Sequence, residues 1–395
     1  MKPKTFNRSK NLLFACFTVL FILATGCQQH PGPLLAGIEA LNMAAVESDL
    51  TWGFEKGFIA GNYAYFFTGN LDDTDPQGKI VRVDLNNFTP AGAAVFPKQY
   101  PNGHFNSFTD GKNGFFIGQV PTNSEAYKLD LSNFSASGLT VLELYKLNPD
   151  LIYGWGVFTD GHYAYFTSGI SAPKLWRVDI QNFDLEHIEM VDSIYFGGCV
   201  IDHYGYLAPD IFSNPDSTSI ARVDLQNFTS SGFTILDLGV GVPTDVNFGW
   251  WCNANYYYIA PWNSPNLLRF DTSDFTAKGM TNFNPSSPKH SVGYGYYSAF
   301  SDGHYAYLLP QDSSSHDAGS FFGTGLVARV DLTNFTSSGV TWLDLTKIDP
   351  NWNNFIDGMA DSHYIYLEPG DYTYPGSTGN ADVVRISLDY AGWTK

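Results

Sequence analysis

Four side chains in this sequence have the types that proton abstraction next to a carboxylate needs. His104 and His290 suit a general base, Tyr296 a phenolic base, and Lys56 a cation to neutralise the substrate's charge. No spacing ties them together, so no catalytic residue is assigned; His104 and His290 are the candidates if there is a reaction. A wider set suits binding: Trp52, His104, Tyr153, Trp155, Asp245, Trp250, Trp262, His290, Tyr294 and Asp357, joined by Trp352, Tyr372 and Tyr374. Aromatic faces beside carboxylates and amides fit sugar rings or a partner protein. Asp73, Asp75 and Gln77, with Gly78 closing the run, place oxygen ligands at alternate positions, as the start of a Ca²⁺ loop does. Val81 stands where a later ligand is wanted, and a solvated acidic loop explains the same residues. Phosphate-binding, dinucleotide, HExxH and CxxC motifs are absent, so nucleotide and haem cofactors have no support.

The elements that must position these residues are repeated. Seven segments start at Arg82, Lys128, Arg177, Arg222, Arg269, Arg329 and Arg385 and read Arg-Val-Asp-Leu or a close variant, 45 to 60 residues apart. Upstream of each lies an aromatic strand such as Tyr163-Ala164-Tyr165, entered by a tight turn such as Asp160-Gly161. Downstream of most lies a third signature, such as Asn334 to Leu345. A period near this length with several strand signals predicts an all-β, seven-bladed β-propeller of four-stranded antiparallel blades. The Gly-containing strand of each unit, such as 154–159, is expected innermost, the aromatic strand second, the Arg-Val-Asp strand third and the Val-Thr-Trp-Leu-Asp-Leu type outermost. The seventh unit lacks an outer strand, and residues 41–45 are expected to supply it and close the ring; the alternative is a short helix over 34–46. Within the third strand, Arg177 and Asp179 share a face, which predicts buried, mutually paired structural groups.

Strand order sorts the loops. The Asp-Gly turns and the Asn-Phe-Thr turns (Asn87, Asn227, Asn334) open on one face and barely vary, which marks them as scaffold. The Asn-x-Thr tripeptides are expected to be turns and not glycosylation sites, and His162, His203, His304 and His363 to be turn residues. The other two loop sets open on the opposite face, vary, and hold the binding candidates.

The chain's 21 Lys and Arg stand against 39 Asp and Glu, a net charge of −18 that repels a phosphate backbone and excludes nucleic acid as a partner. Lys2, Lys4, Arg8 and Lys10 precede an uncharged run from Asn11 to Ala24, too short to span a membrane, which predicts an export signal over 1–26. The segment ends Leu23-Ala24-Thr25-Gly26-Cys27 and resembles a bacterial lipobox, although the Leu sits one position early. That resemblance implies a lipid on Cys27; a linker is then expected over 27–38 and the propeller over 39–395. The protein would then be exported and touch the membrane only through its anchor. Gln28 after the Cys implies the outer membrane by the rule of enteric-type lipoproteins. Cys199 lies five residues before Tyr204 and Cys252 four before Tyr256. The odd and even counts put them on opposite strand faces, and two small buried residues are expected in preference to a disulfide.

The DG-x-Y-x-Y, RVDL and NFTxSGVTxLDL signatures resemble those of a family of bacterial repeat proteins, predicted to be propellers and largely without assigned function. The resemblance covers about 39–390 and implies a fold but no reaction. Some seven-bladed propellers are polysaccharide lyases, the enzymatic alternative to a binding or scaffold role.

Overall fold

The computed structural model describes residues 36–395 apart from 51–52, 69–77, 98–105, 119–124, 148–153, 169–173, 194, 210–218, 240–248, 288, 291, 293–294, 311–323 and 371–380. Strand β1 (Ile38–Asn42) comes first among the described residues. Blade one is β2 (Phe54–Ala60), β3 (Tyr63–Thr68), β4 (Ile80–Asp84) and β5 (Ala93–Val95). Blade two is β6 (Asn106–Thr109), β7 (Asn113–Gly118), β8 (Glu125–Asp130) and β9 (Leu139–Glu143). Blade three is β10 (Gly154–Thr159), β11 (Tyr163–Ser168), β12 (Lys174–Asp179) and β13 (Ile188–Asp192). Blade four is β14 (Tyr195–Ile201), β15 (Tyr204–Pro209), β16 (Ser219–Asp224) and β17 (Phe233–Asp237). Blade five is β18 (Trp250–Cys252), β19 (Tyr256–Ile259), β20 (Leu267–Asp271) and β21 (Met280–Phe283). Blade six is β22 (Tyr296–Ser301), β23 (Tyr305–Pro310), β24 (Leu326–Asp331) and β25 (Val340–Asp344). Blade seven is β26 (Phe355–Ala360), β27 (Tyr364–Pro369) and β28 (Asp382–Ser387), completed by β1. The first strands of successive blades meet one another around the ring, from β2 against β6 to β26 against β2, which makes them innermost. The fold is a seven-bladed β-propeller, as the repeat predicts.

Alternation along the third strand builds the core between blades. Trp176 and Val178 pack toward blade two, while Leu175 packs toward blade four. The signatures have local causes. Asp160 Oδ1 accepts from the backbone of His162 and Tyr163, and its Oδ2 accepts the Tyr165 hydroxyl at 2.7 Å. Gly161 sits at φ +86°, the left-handed turn that glycine permits. In the Asn-Phe-Thr turns, Thr89 Oγ1 donates to Asn87 Oδ1 at 2.8 Å. A Cβ on Gly92 would stand 2.0 Å from the Asn87 carbonyl oxygen, so the following Gly is required.

The Arg and Asp of the third strand are not paired as expected; each takes its own partners. Arg177 lies over Tyr163 of its own blade at 4.3 Å and over Phe228 of the next at 4.4 Å. It also donates to the Leu225 carbonyl at 2.8 Å. Arg82, Arg222 and Arg269 repeat the sandwich with Phe134, Phe275 and Phe335 of the following blade. A guanidinium is planar, so both faces can stack while its edge hydrogen-bonds. Asp179 Oδ1 instead accepts from the backbone of Gln181 at 2.8 Å and Asn182 at 3.2 Å, holding the next turn.

The two cysteines form a disulfide, with Cα atoms 6.1 Å apart. The bond replaces the two separate buried residues expected from the sequence, although the cysteines do lie on opposite strand faces. Cys199 lies in blade four and Cys252 in blade five, and opposite faces of adjacent blades look at each other across the interface.

The ring closes through the N-terminal segment, though not over 41–45. β1 pairs antiparallel with β28 from Ile38 opposite Ile386 to Asn42 opposite Asp382. Asn42 then ends the strand: its amide donates to Asp382 at 2.8 Å, its oxygen accepts from Ala45 N, and Met43–Ala45 is a 3-10 turn. Lys79 ties down the segment that follows through Glu47 at 2.6 Å and Asp49 at 2.7 Å. At the other terminus Trp393 takes the place of the missing next-blade Phe over Arg329, at 4.5 Å, and Thr394 bridges to Trp342.

β1 buries Ile38 and Leu41, with Met43 just beyond it, and covers the edge of β28. A chain that starts at Ser48 should therefore lose about 5 kcal/mol or more from these three side chains alone and should aggregate or melt at a clearly lower temperature. A monomer that melts with the longer chain would contradict closure by β1.

Candidate functional site

Innermost strands begin on the variable-loop face, and several begin irregularly. The register slips by one residue in β2 between Glu55 and Phe58, in β10 around Trp155, in β14 around Gly197, in β22 around Tyr297 and in β26 around Ile356. A bulge of this kind re-aims a side chain. Here the bulges ring the mouth of the propeller axis. Tyr297 and Ile356, each the extra residue of its strand, pack with Trp262 and Trp250 in a small apolar cluster.

Trp250 lies across the mouth. Its ring rests on Gly197 of blade four, where an added Cβ would come within 2.1 Å of it. Lys56 Nζ of blade one sits 5.3 Å above the ring centroid. Lys56 itself has φ +39°, a left-handed conformation imposed by the β2 bulge. Its ammonium is 3.5 Å from Asp357 Oδ2 of blade seven, where the side chains are 19% and 4% exposed. Asp357 Oδ1 accepts from Ser298 Oγ at 2.6 Å and from Gly358 N at 2.8 Å. Beside it in register, the buried Glu368 accepts from Gly57 N at 3.0 Å. The Ser107 hydroxyl donates to the Lys56 carbonyl. The mouth is thus a partly exposed ammonium over an indole face, on a floor of buried carboxylates that link blade seven to blade one.

Several expected binding residues take other roles. Trp262 is buried, edge-on to Tyr297 at 5.4 Å, so it supports the mouth and faces no ligand. Asp357 is buried beneath Lys56, and Trp352 is in the core, donating from Nε1 to Asp382 at 3.1 Å. His290 is far out on its blade, stacked on Trp342 of the outermost strand at 5.3 Å. Burial first, then Lys347, hold its imidazole below the ordinary value against the pull of Asp344. Tyr296 is wholly buried and donates to the Pro265 carbonyl at 2.7 Å; burial pushes its phenol far above the usual range. His290 and Tyr296 therefore do not converge with Lys56, and a lyase built on them loses its parts. Trp52, His104, Tyr153, Asp245, Tyr294, Tyr372 and Tyr374 lie outside the described residues, as do Cys27 and the Asp73, Asp75 and Gln77 run. The backbone of Trp155 is described within β10 and its side chain is not. Among the described residues no cluster of His, Cys, Asp and Glu suits a metal ion.

Ser298, Tyr297, Ile356 and Glu368 escape a reading of the sequence. Glu368 alone carries a signal: sister blades place Phe67, Ile117, Thr167, Ala208 and Leu309 there, and a lone acid at an otherwise uncharged position is conspicuous.

Removing Lys56 strands a buried carboxylate. Lys56→Met should destabilise by about 3 kcal/mol, and Lys56→Met with Asp357→Asn by clearly less than the two single changes summed. Urea midpoints of the four proteins test this; strict additivity would mean the pair does not interact.

Neither a family model nor a curated protein matches this chain. Solved structures do. The Pan2 WD40 domain of Neurospora crassa superposes with a TM-score of 0.55 at 10% identity, over 88% of this chain and 93% of that one. The Cps50 (Swd1) β-propeller domain of Myceliophteria thermophila gives 0.54 at 10% identity, over 86% and 97%. At such identity the likeness is one of fold, and the chain has the architecture of these propellers.

Proposed function

We propose that this protein is an exported, lipid-anchored propeller that binds a glycan on its variable-loop face as a recognition or scaffold module. The observation that carries it is the division between the two faces. One is built from near-identical Asp-Gly and Asn-Phe-Thr turns whose polar groups are spent on local hydrogen bonds. The other surrounds an axial mouth with Trp250 and the Lys56 ammonium at its centre, and its loops differ from blade to blade in Trp, Tyr, His and Asp. Rigid strands carrying variable loops are a usual platform for recognition. A protein partner is the other ligand class that such a surface takes. Export is supported by the basic and apolar start of the chain and by the Cys199–Cys252 disulfide, a bond that persists in oxidising compartments.

The test is a glycan array probed with the protein from Gln28 onward. Binding without turnover is expected, and Tyr153→Ala should weaken a hit about tenfold, whereas His162→Asn on the opposite face should not. Unsaturated sugar products would indicate a lyase. Protein capture with no glycan hit would point to a protein partner, and loss of binding in His162→Asn alone would place the site on the other face.

A further inference from the structure

We infer that the outer edge of blade four, strand β17, pairs with the same strand of a second copy of this chain, so that two four-stranded blades become one continuous sheet. The molecule shows elsewhere what such an edge takes. In β25 of blade six, Trp342 turns its N–H and C=O away from β24, and Thr394 meets both. Trp342 N donates to the Thr394 carbonyl at 2.7 Å, and Thr394 N donates to the Trp342 carbonyl at 2.9 Å. Ile235 holds the same place in blade four. It stands opposite Ala221 of β16 as Trp342 stands opposite Ala328 of β24. Backbone groups alternate along an antiparallel strand. Ile235 therefore also sends its N–H and C=O outward, while Thr234 and Leu236 bond to β16. Among the described residues, no strand or bridge meets that edge of β17.

Edge strands are usually made unattractive by charge, brevity or cover, and the other outer strands show each device. β13 carries Glu189 and Asp192, ion-paired with Arg177 and Lys174. β9 ends at Glu143, paired with Lys146. β1 carries Glu39, paired with Arg385. β5 has three residues, β21 presents Asn282 at the position of Ile235, and β25 is covered. β17 is uncharged from Phe233 to Leu236. Ile235, at its middle, is 61% exposed, more than any other large apolar side chain described. The edge is also self-complementary. In an antiparallel pair centred on Ile235, each copy's Ile235 donates to the other and accepts from it, and the two side chains lie together on one sheet face. Phe233 then stands opposite Asp237, so no two aspartates meet. This is the two-fold contact of an isologous dimer. Five residues of edge bury less than the ~1,600 Å² of a standard interface, and a net charge of −18 on each chain opposes the approach. The dimer is therefore weak, and salt strengthens it by screening that repulsion. The inference does not depend on what binds the mouth.

Sedimentation velocity of the protein from Gln28 onward, which carries every strand, tests it from low micromolar to near-millimolar concentration. The weight-average mass should rise with concentration toward twice that of one chain, and should do so at lower concentration in added salt. Ile235→Lys sets two like charges face to face and should leave a single chain throughout. The side chain is exposed, so this variant should melt with the unaltered protein, and the lost dimer is then not a lost fold. Ile235→Pro should also prevent pairing, because it removes an outward N–H that bonds nothing within the blade. Met190→Lys, at the corresponding place on β13, should dimerise as before. The Ile235 amide should exchange more slowly in concentrated than in dilute protein. A single-chain mass at every concentration would overturn the inference and leave the edge to another protein. So would a dimer kept by both Ile235 variants, or one that salt dissolves, since either would place the interface elsewhere.

Discussion

A guanidinium held between two aromatic rings of different blades is the contact on which the rest of the ring depends. Sheets in a propeller touch mainly through apolar side chains, which resist separation but tolerate sliding. The stacked Arg adds direction. Arg177 must lie flat between Tyr163 and Phe228 while its edge meets the Leu225 carbonyl, so each blade is indexed against the next. Lys128 in blade two, over Phe183 at 5.9 Å, shows that charge and reach can be kept with poorer stacking. The signature residues follow from this geometry. Outside blade two, the first Tyr of the aromatic strand is the lower ring; the second caps the Asp of the tight turn in blades three, six and seven; and the Phe of the Asn-Phe-Thr turn is the upper ring for the preceding blade.

The seam between the last and first blades has to satisfy the same contact without a continuous chain, and it does so at three radii. On the axis, Lys56 meets Asp357, and Gly57 donates to Glu368. At the third strand, Arg385 stacks on Phe88 at 4.5 Å and donates to the Leu85 carbonyl at 2.8 Å. At the rim, β1 pairs with β28, and Arg385 also reaches Glu39 at 2.8 Å. The axial polar cluster is therefore structural, its carboxylates buried and its Lys56 ammonium partly exposed to whatever enters the mouth. A ligand drawing on Lys56 would also act on the joint that closes the ring.

The repeats made blade number, strand order and closure by an N-terminal strand legible, because alternation and turn chemistry are local. What depends on neighbours in space was not. Arg177 and Asp179 share a strand face, yet their partners come from the next blade and from the turn. Cys199 and Cys252 were placed on the correct faces, but only the ring arrangement turns opposite faces toward each other. The residues of β1 were offset by three because the Asn42 cap, and not hydrophobicity, ends the strand. At the site, an extra residue in five of the innermost strands leaves no mark in composition, so Tyr297 and Ile356 carry no signal in the sequence. Trp262 looked like a presented aromatic because it lies in a proline-bounded loop, although that loop folds inward.

Hydrogen exchange on the free protein and on the protein saturated with a glycan selected from the array tests the central claim most directly, because it reads both faces at once. Binding at the axial mouth predicts added protection at the start of β2, in β18 and in the loops that flank them, with the Asp160–Tyr163 and Asn334–Gly339 turns unchanged. Protection confined to those turns would contradict it.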